Sequence, residues 1–206
     1  QSRSSAASDV YKRQVFVSVT IKAWLSIGST YTYLTALRLQ NVIQASGIKL
    51  DIRPISIRQI MKNMDNIPFP SSKKTKVDYM WRDIERRAKF YSLPVPHVPV
   101  AYPLKEFDRA NLVGIVMERE GKYLKYLEET YRAWFLDGLE AGSDQNLENV
   151  SRIMGVALQE VLDAASSSKI LEIYESNTAE AQTVGVFGAP SFEVAGEIFW
   201  GDDRLE

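Results

Sequence analysis

Apolar and polar positions alternate in distinct textures along the chain. Val15 to Ser26 concentrates β-branched and aromatic residues (Val15, Phe16, Val17, Val19, Thr20, Ile21, Trp24) and runs into Gly28, the pattern of a strand closed by a tight turn. Leu34, Leu37, Val42 and Ala45 then recur at helical spacing, so Thr30 to Ala45 reads as a helix stopped by Gly47. Ile48, Leu50 and Ile52 alternate with Lys49, Asp51 and Arg53, a second strand over Ile48 to Ile55. Strand, helix, strand implies a parallel pair with a right-handed crossover.

The pattern next becomes helical: Ser56 to Met64, Lys76 to Tyr91, Asp108 to Glu120, Lys122 to Leu136, Gln145 to Met154 and Val156 to Ala165. Pro94, Pro96, Pro99 and Pro103 interrupt this region and demand extended backbone, because proline fixes its own φ and drives its predecessor out of the α region. Lys169 to Thr183 restores a helix. Gly185 to Glu193 and Glu197 to Trp200 read as short strands joined at Ala195-Gly196, an antiparallel hairpin. No internal repeat or low-complexity tract appears.

This order predicts an α/β fold, a thioredoxin-like domain (15–55 and 166–206) carrying a large inserted all-helical subdomain (56–165). Residues 1–14, QSRSSAASDVYKRQ, lack any apolar run and read as a non-native scar. Asp202 to Glu206 reads as the opening turn of a helix with acidic residues at its positive end, a helix expected to continue in the natural protein.

Composition narrows the chemistry. The chain has 206 residues, 25 Lys+Arg against 26 Asp+Glu and a formal net charge of -1, so no global field draws it to nucleic acid or an anionic membrane. No run of eighteen apolar residues appears, and a cytoplasmic location is the expectation. With no cysteine, the chain has no disulfide, thiolate metal site or dithiol chemistry of its own; no metal is expected, and any sulfur must come from a ligand.

Two segments carry candidate chemistry. Gly28-Ser29-Thr30-Tyr31-Thr32-Tyr33-Leu34 falls where the first strand turns into the first helix, the place at which thioredoxin-like proteins hold C-x-x-C, and here Ser29 and Thr32 keep that spacing with hydroxyls. The second runs Gly185-Val186-Phe187-Gly188-Ala189-Pro190-Ser191-Phe192 and is followed by Gly196 to Arg204 (GEIFWGDDR). With Asn66-Ile67-Pro68 and the basic stretch holding Lys76, Tyr79, Asp83, Arg86 and Arg87, these motifs resemble the family of 2-hydroxychromene-2-carboxylate isomerases and kappa-class glutathione transferases, a branch of the DsbA-like thioredoxin proteins. The resemblance spans Thr20 to Glu206.

It implies glutathione as cofactor, with Ser29 beside its sulfur as the catalytic residue. It also implies a cis-proline at Pro190, Ala189 offering backbone groups to the cysteinyl unit, Asp202 and Asp203 near the γ-glutamyl end, and Asn66 near the tripeptide backbone. The implied activity is glutathione-dependent isomerisation of an aromatic catabolite of the 2-hydroxychromene-2-carboxylate type, the thiolate adding reversibly to the substrate. Alternatives are kappa-type transfer to a small electrophile and, in another class, a non-redox DsbA-like peptide-binding module. The resemblance leaves room for a homodimer. Where the family often has Ser-Pro-Tyr-Ser, this chain has Ser29-Thr30-Tyr31-Thr32, a departure that bears on substrate subtype.

Each residue also has a plainer role: Ser29 as a helix N-cap, Pro190 as a trans loop proline, Asp202 and Asp203 as complements to a helix dipole, Asn66 as a loop former. His97, the sole histidine, reads as a wall or surface residue between Pro96 and Val98 rather than a base. Tyr31, Tyr33, Trp81, Tyr91 and Tyr102 read as core or as pocket lining. Lys73-Lys74-Thr75-Lys76 reads as a solvated loop, and Glu85, Arg86 and Arg87 as surface pairs.

Overall fold

A computed structural model describes residues 20–66 and 71–206. β1 (Thr20–Leu25) pairs in parallel with β2 (Lys49–Pro54), Thr20 opposite Lys49 and Leu25 opposite Pro54. The part of the expected first strand before Thr20 lies outside the described residues. β3 (Ser191–Val194) runs antiparallel to β1, and β4 (Glu197–Trp200) antiparallel to β3, giving the order β2-β1-β3-β4. The β3–β4 hairpin turns through Ala195 and Gly196, both at positive φ. The strand expected from Gly185 begins only at Ser191: Pro190 has no N–H to give a ladder, and Gly185 sits at φ 88°.

The helix expected over Thr30–Ala45 is two: α1 (Thr32–Ala36) and α2 (Leu39–Ser46), the second closed by Gly47 at φ 66°. The break has a local cause. The Arg38 N–H bonds the Thr35 carbonyl at 3.0 Å, a tight i−3 bond, while its side-chain Nε takes the Leu34 carbonyl at 3.0 Å. The side chain thus claims the acceptor that would have continued the helix.

α3 (Ile57–Asn63) is capped by Ser56, whose Oγ accepts from the Gln59 N–H at 3.3 Å. α4 (Lys74–Phe90), α5 (Phe107–Arg119), α6 (Tyr123–Phe135), α7 (Asp144–Met154), α8 (Leu158–Ala165) and α9 (Ser168–Thr183) follow. Lys73 and Lys74 therefore stand in a 3-10 turn and the start of α4, not in a loop. The turn expected to open a helix at the end of the chain is a 3-10 turn over Asp202–Arg204.

Sheet and helical insertion share one hydrophobic core. α5 and α9 pack on β2, and α6 packs on α1, where the Tyr33 and Phe135 rings stack at 4.5 Å with 4° between planes. The proline-dense segment is pinned from inside, since the Tyr33 hydroxyl donates to the Pro94 carbonyl at 2.6 Å and Trp134 Nε1 to the Ala101 carbonyl at 2.9 Å. This is the α/β fold, a mixed sheet with a helical insertion, that the order of elements predicts. Among the described residues, no helix is long and apolar enough to cross a membrane.

Candidate functional site

Ser29 stands on the turn leaving β1, and its Oγ donates a 2.6 Å hydrogen bond to the carbonyl of Ala189, 160 positions later in the chain. The Ala189–Pro190 peptide is cis. Ser29 is half-buried, whereas Ala189 and Pro190 are buried. The fold thus joins Ser29, Ala189 and Pro190 at one point at the end of the sheet.

The turn under Ser29 is held from the insertion. Tyr131 on α6 donates its hydroxyl to the Ser29 carbonyl at 2.7 Å and lies 3.4 Å from the Ser26 carbonyl, while the Gly28 N–H donates to the same hydroxyl at 3.3 Å. Burial raises the Tyr131 hydroxyl far above the ordinary tyrosine value, so it remains a donor at any working pH. Asn111 on α5, fully buried, takes the Ile27 N–H at 2.8 Å and donates to the Ile27 carbonyl at 2.9 Å. Gly28 has φ 121°, and a Cβ there would meet the Phe107 ring at 2.2 Å, so both conformation and space require glycine.

Thr30 turns toward α4. The Thr30 hydroxyl donates to Met80 Sδ at 3.1 Å, and Thr32 is wholly buried inside α1. Because α1 has only five residues, its dipole is that of little more than a turn, less than the sixteen-residue expectation implies for an anion at Ser29.

The second expected cluster divides. The Asp202 side chain is 1% exposed, with Arg87 Nη2 at 2.8 Å and Arg38 Nη2 at 3.3 Å; the same Arg38 nitrogen also donates to the Asp202 carbonyl. Arg38 lies 3.5 Å above the Tyr91 ring and its other terminal nitrogen pairs with Glu206. Burial pushes the Asp202 carboxyl up to about 6, against the pull of Arg87 and then Arg38. Arg87 is accordingly not a surface pair: from α4 it reaches across to brace the turn after β4. Asp203 is exposed, and its carboxylate lies over the Cα of Gly201, where a Cβ would come within 2.4 Å of Oδ1.

Asn66 lies on the exposed turn after α3, its N–H bonded to the Met61 carbonyl at 2.9 Å; Ile67 and Pro68 fall outside the described residues. His97 is exposed, its backbone N–H on the Phe135 carbonyl. Tyr31 reaches α4, donating to Asp83 at 3.0 Å, and Tyr33 and Trp81 are core. Among the described residues, no group of acidic and histidine side chains is arranged to hold a metal ion.

Sequence reasoning missed Tyr131, Asn111 and Arg38. Tyr131 and Asn111 sit in helical periodicity indistinguishable from packing residues. Arg38 carried one signal, a charge flanked by Leu34, Leu37 and Leu39 in an apolar stretch, since arginine is seldom fully buried unless paired.

Comparison with known proteins agrees with the fold. The family model of the DSBA-like thioredoxin domain matches residues 20–206. A 2-hydroxychromene-2-carboxylate isomerase of Sphingobium xenophagum is 25% identical over 189 residues, covering 91% of this chain and 94% of that protein. One from Pseudomonas putida is 25% identical over 179 residues, 86% of each. Among solved structures, a 2-hydroxychromene-2-carboxylate isomerase superposes with a TM-score of 0.79 at 24% identity over 90% of each chain. The cytosolic disulfide reductase DsbM of Pseudomonas aeruginosa superposes at 0.63, with 14% identity over 90% of this chain and 91% of its own.

Proposed function

The chain belongs to the DsbA-like thioredoxin-domain family, and from that footing we propose that it is a glutathione-dependent isomerase of the 2-hydroxychromene-2-carboxylate type, acting on aromatic-compound catabolites. One observation carries the reading: the Ser29 hydroxyl and the Ala189 carbonyl meet at 2.6 Å in a cysteine-free site. The relatives named 2-hydroxychromene-2-carboxylate isomerase support the reaction class.

The donor set fits a γ-glutamyl-cysteinyl tripeptide. Ala189 offers a carbonyl to a cysteinyl N–H, Ser29 a hydroxyl to a sulfur, and Asp203 an exposed carboxylate to an α-ammonium. Asp202, turned inward onto Arg87 and Arg38, positions Asp203 rather than meeting the ligand. Bound there, glutathione supplies the thiolate that the chain lacks. When a ligand N–H occupies the Ala189 carbonyl, the Ser29 hydroxyl is free to swing from that oxygen to the sulfur.

The energy required is modest. A thiol of pKa about 8.5 is only a few per cent ionised at pH 7, and lowering it by about 2 units takes about 2.7 kcal/mol. A hydroxyl donating to a charged acceptor contributes about 1.5–3 kcal/mol. With α1 so short, Ser29 must supply most of this.

Calorimetric titration with glutathione, together with ultraviolet thiolate absorbance against pH, tests the reading. Ser29→Ala should raise the bound thiol pKa by about 1–2 units, the loss of one charge-assisted donor, while Thr32→Ala leaves it in place. No heat of binding and no melting shift at millimolar glutathione would refute the proposal. Stoichiometric consumption of glutathione during turnover would replace isomerisation by transfer.

A further inference from the structure

Two large aromatic side chains stand exposed beside Ala189. Phe187 is 45% exposed and Trp200 51%, and their rings touch at 5.1 Å with 58° between planes. The other three tryptophans, Trp24, Trp81 and Trp134, are at most 6% exposed. Burial of each ring would be worth on the order of 2–3 kcal/mol, so a paired, solvent-facing arrangement next to a site is a surface waiting for an apolar ligand.

The pair is rigidly placed. Trp200 ends β4 opposite Ser191, and the following Gly201 N–H bonds the Pro190 carbonyl at 3.0 Å. Its indole lies so close over Gly188 that a Cβ there would fall 2.3 Å from Nε1. Phe187 faces solvent while its neighbour Val186 is buried at 2%. Gly188 therefore links the aromatic pair directly to Ala189, whose carbonyl holds the Ser29 hydroxyl.

We propose that Phe187 and Trp200 form the platform on which the second substrate lies, a planar conjugated or aryl molecule stacked beside the Ser29–Ala189 junction, so that these residues set substrate specificity. This rests on the glutathione reading and adds to it the location of the acceptor. A planar π-face gains from stacking on an aromatic pair beyond the area it covers, and the platform lies next to the place where the sulfur would be held. A saturated, ringless acceptor gains neither. A protein surface is the other occupant that such a patch admits, and the assay below separates it.

Two glutathione derivatives distinguish the outcomes: S-methylglutathione, which has no ring, and S-(4-nitrobenzyl)glutathione, whose nitroaryl group also quenches a tryptophan on contact. For the parent protein the nitrobenzyl derivative should bind about tenfold more tightly, as one such stacking contact supplies, and should quench the exposed Trp200 emission. That affinity ratio should fall to about one in Trp200→Ala and Phe187→Ala and be kept in Trp200→Phe. Thermal melts of each variant check folding, and the ratio of two ligands on one protein cancels losses common to both. An unchanged ratio in both alanine variants, or nitrobenzyl binding without quenching, would overturn the platform and leave the glutathione reading standing. Binding of neither derivative to the parent would overturn both. A parent ratio near one, with self-association lost in Trp200→Ala, would assign the patch to a protein contact and overturn the proposal.

Discussion

Tyr131→Phe isolates the contribution of the helical insertion to the candidate site. The substitution keeps the ring, its contacts with Trp134 and Phe135, and the volume of a wholly buried position. It deletes only a hydroxyl. The Ser29 carbonyl keeps the Thr32 N–H at 3.3 Å, and the Ser26 carbonyl keeps the Ser29 N–H at 3.5 Å, but the Gly28 N–H loses the acceptor it has at 3.3 Å. One orphaned buried donor costs about 1–3 kcal/mol, and loss of the short bond to Ser29 adds about 1 kcal/mol. For a chain of this size each kcal/mol lowers Tm by about 2–4 °C, so the variant should melt roughly 4–16 °C below the parent. The second expected effect is local. With its carbonyl loosened, Ser29 should hold a bound thiol less well, moving the thiol pKa part of the way toward that of Ser29→Ala. In a double-mutant cycle the two substitutions should therefore be non-additive. Differential scanning calorimetry and thiolate absorbance measure the two effects separately. Melting within 1 °C of the parent together with an unshifted thiol pKa would show that Tyr131 does not hold the turn.

Gly28→Ala combines a disfavoured φ with collision against Phe107 and should cost about 3 kcal/mol or more, visible as a lowered denaturant midpoint; wild-type stability would refute the account of the turn. Asp202 links stability to pH with a definite sign. Its folded carboxyl titrates near 6, above its ordinary value of 3.8, so between those values the folded state holds a proton that the unfolded state lacks, and this group favours folding as pH falls. The stability difference between parent and Asp202→Asn should therefore shift toward the parent by about 2–3 kcal/mol between pH 7.5 and 4.5, read from urea midpoints. Protonation also slackens the Arg87 tie, so glutathione affinity should weaken below pH 6 in the parent and change less in Asp202→Asn. Finally, a chain without cysteine should not reduce insulin disulfides in thiol-free buffer; turnover there would overturn the reading of the site.

Local rules made the elements legible. Gly47 stops a helix at positive φ and the Ala195-Gly196 pair turns the hairpin, each through backbone preferences that act within a few residues. Ser29, Ala189 and Pro190 were legible as candidates because two short motifs carry them. What a linear pattern does not contain is partnership across the chain. Arg38 has strong helical surroundings, yet its side chain takes the Leu34 carbonyl and the buried Asp202 carboxylate, and a predicted single helix becomes two. Arg87 reads as a surface pair and Asp202 as a ligand contact or a complement to a helix dipole; only the folded chain, bringing α4 against the turn after β4, desolvates them together. Tyr131 and Asn111 fit the helical apolar periodicity as packing residues, and nothing in their spacing shows that their polar atoms end on the turn bearing Ser29. Sequence by itself determined the elements and the two motif segments, because propensity, capping and turn chemistry are short-ranged. Tertiary structure alone decided which buried polar groups answer one another, because a desolvated donor or charge is stable only beside a partner, and here those partners lie up to 164 residues apart.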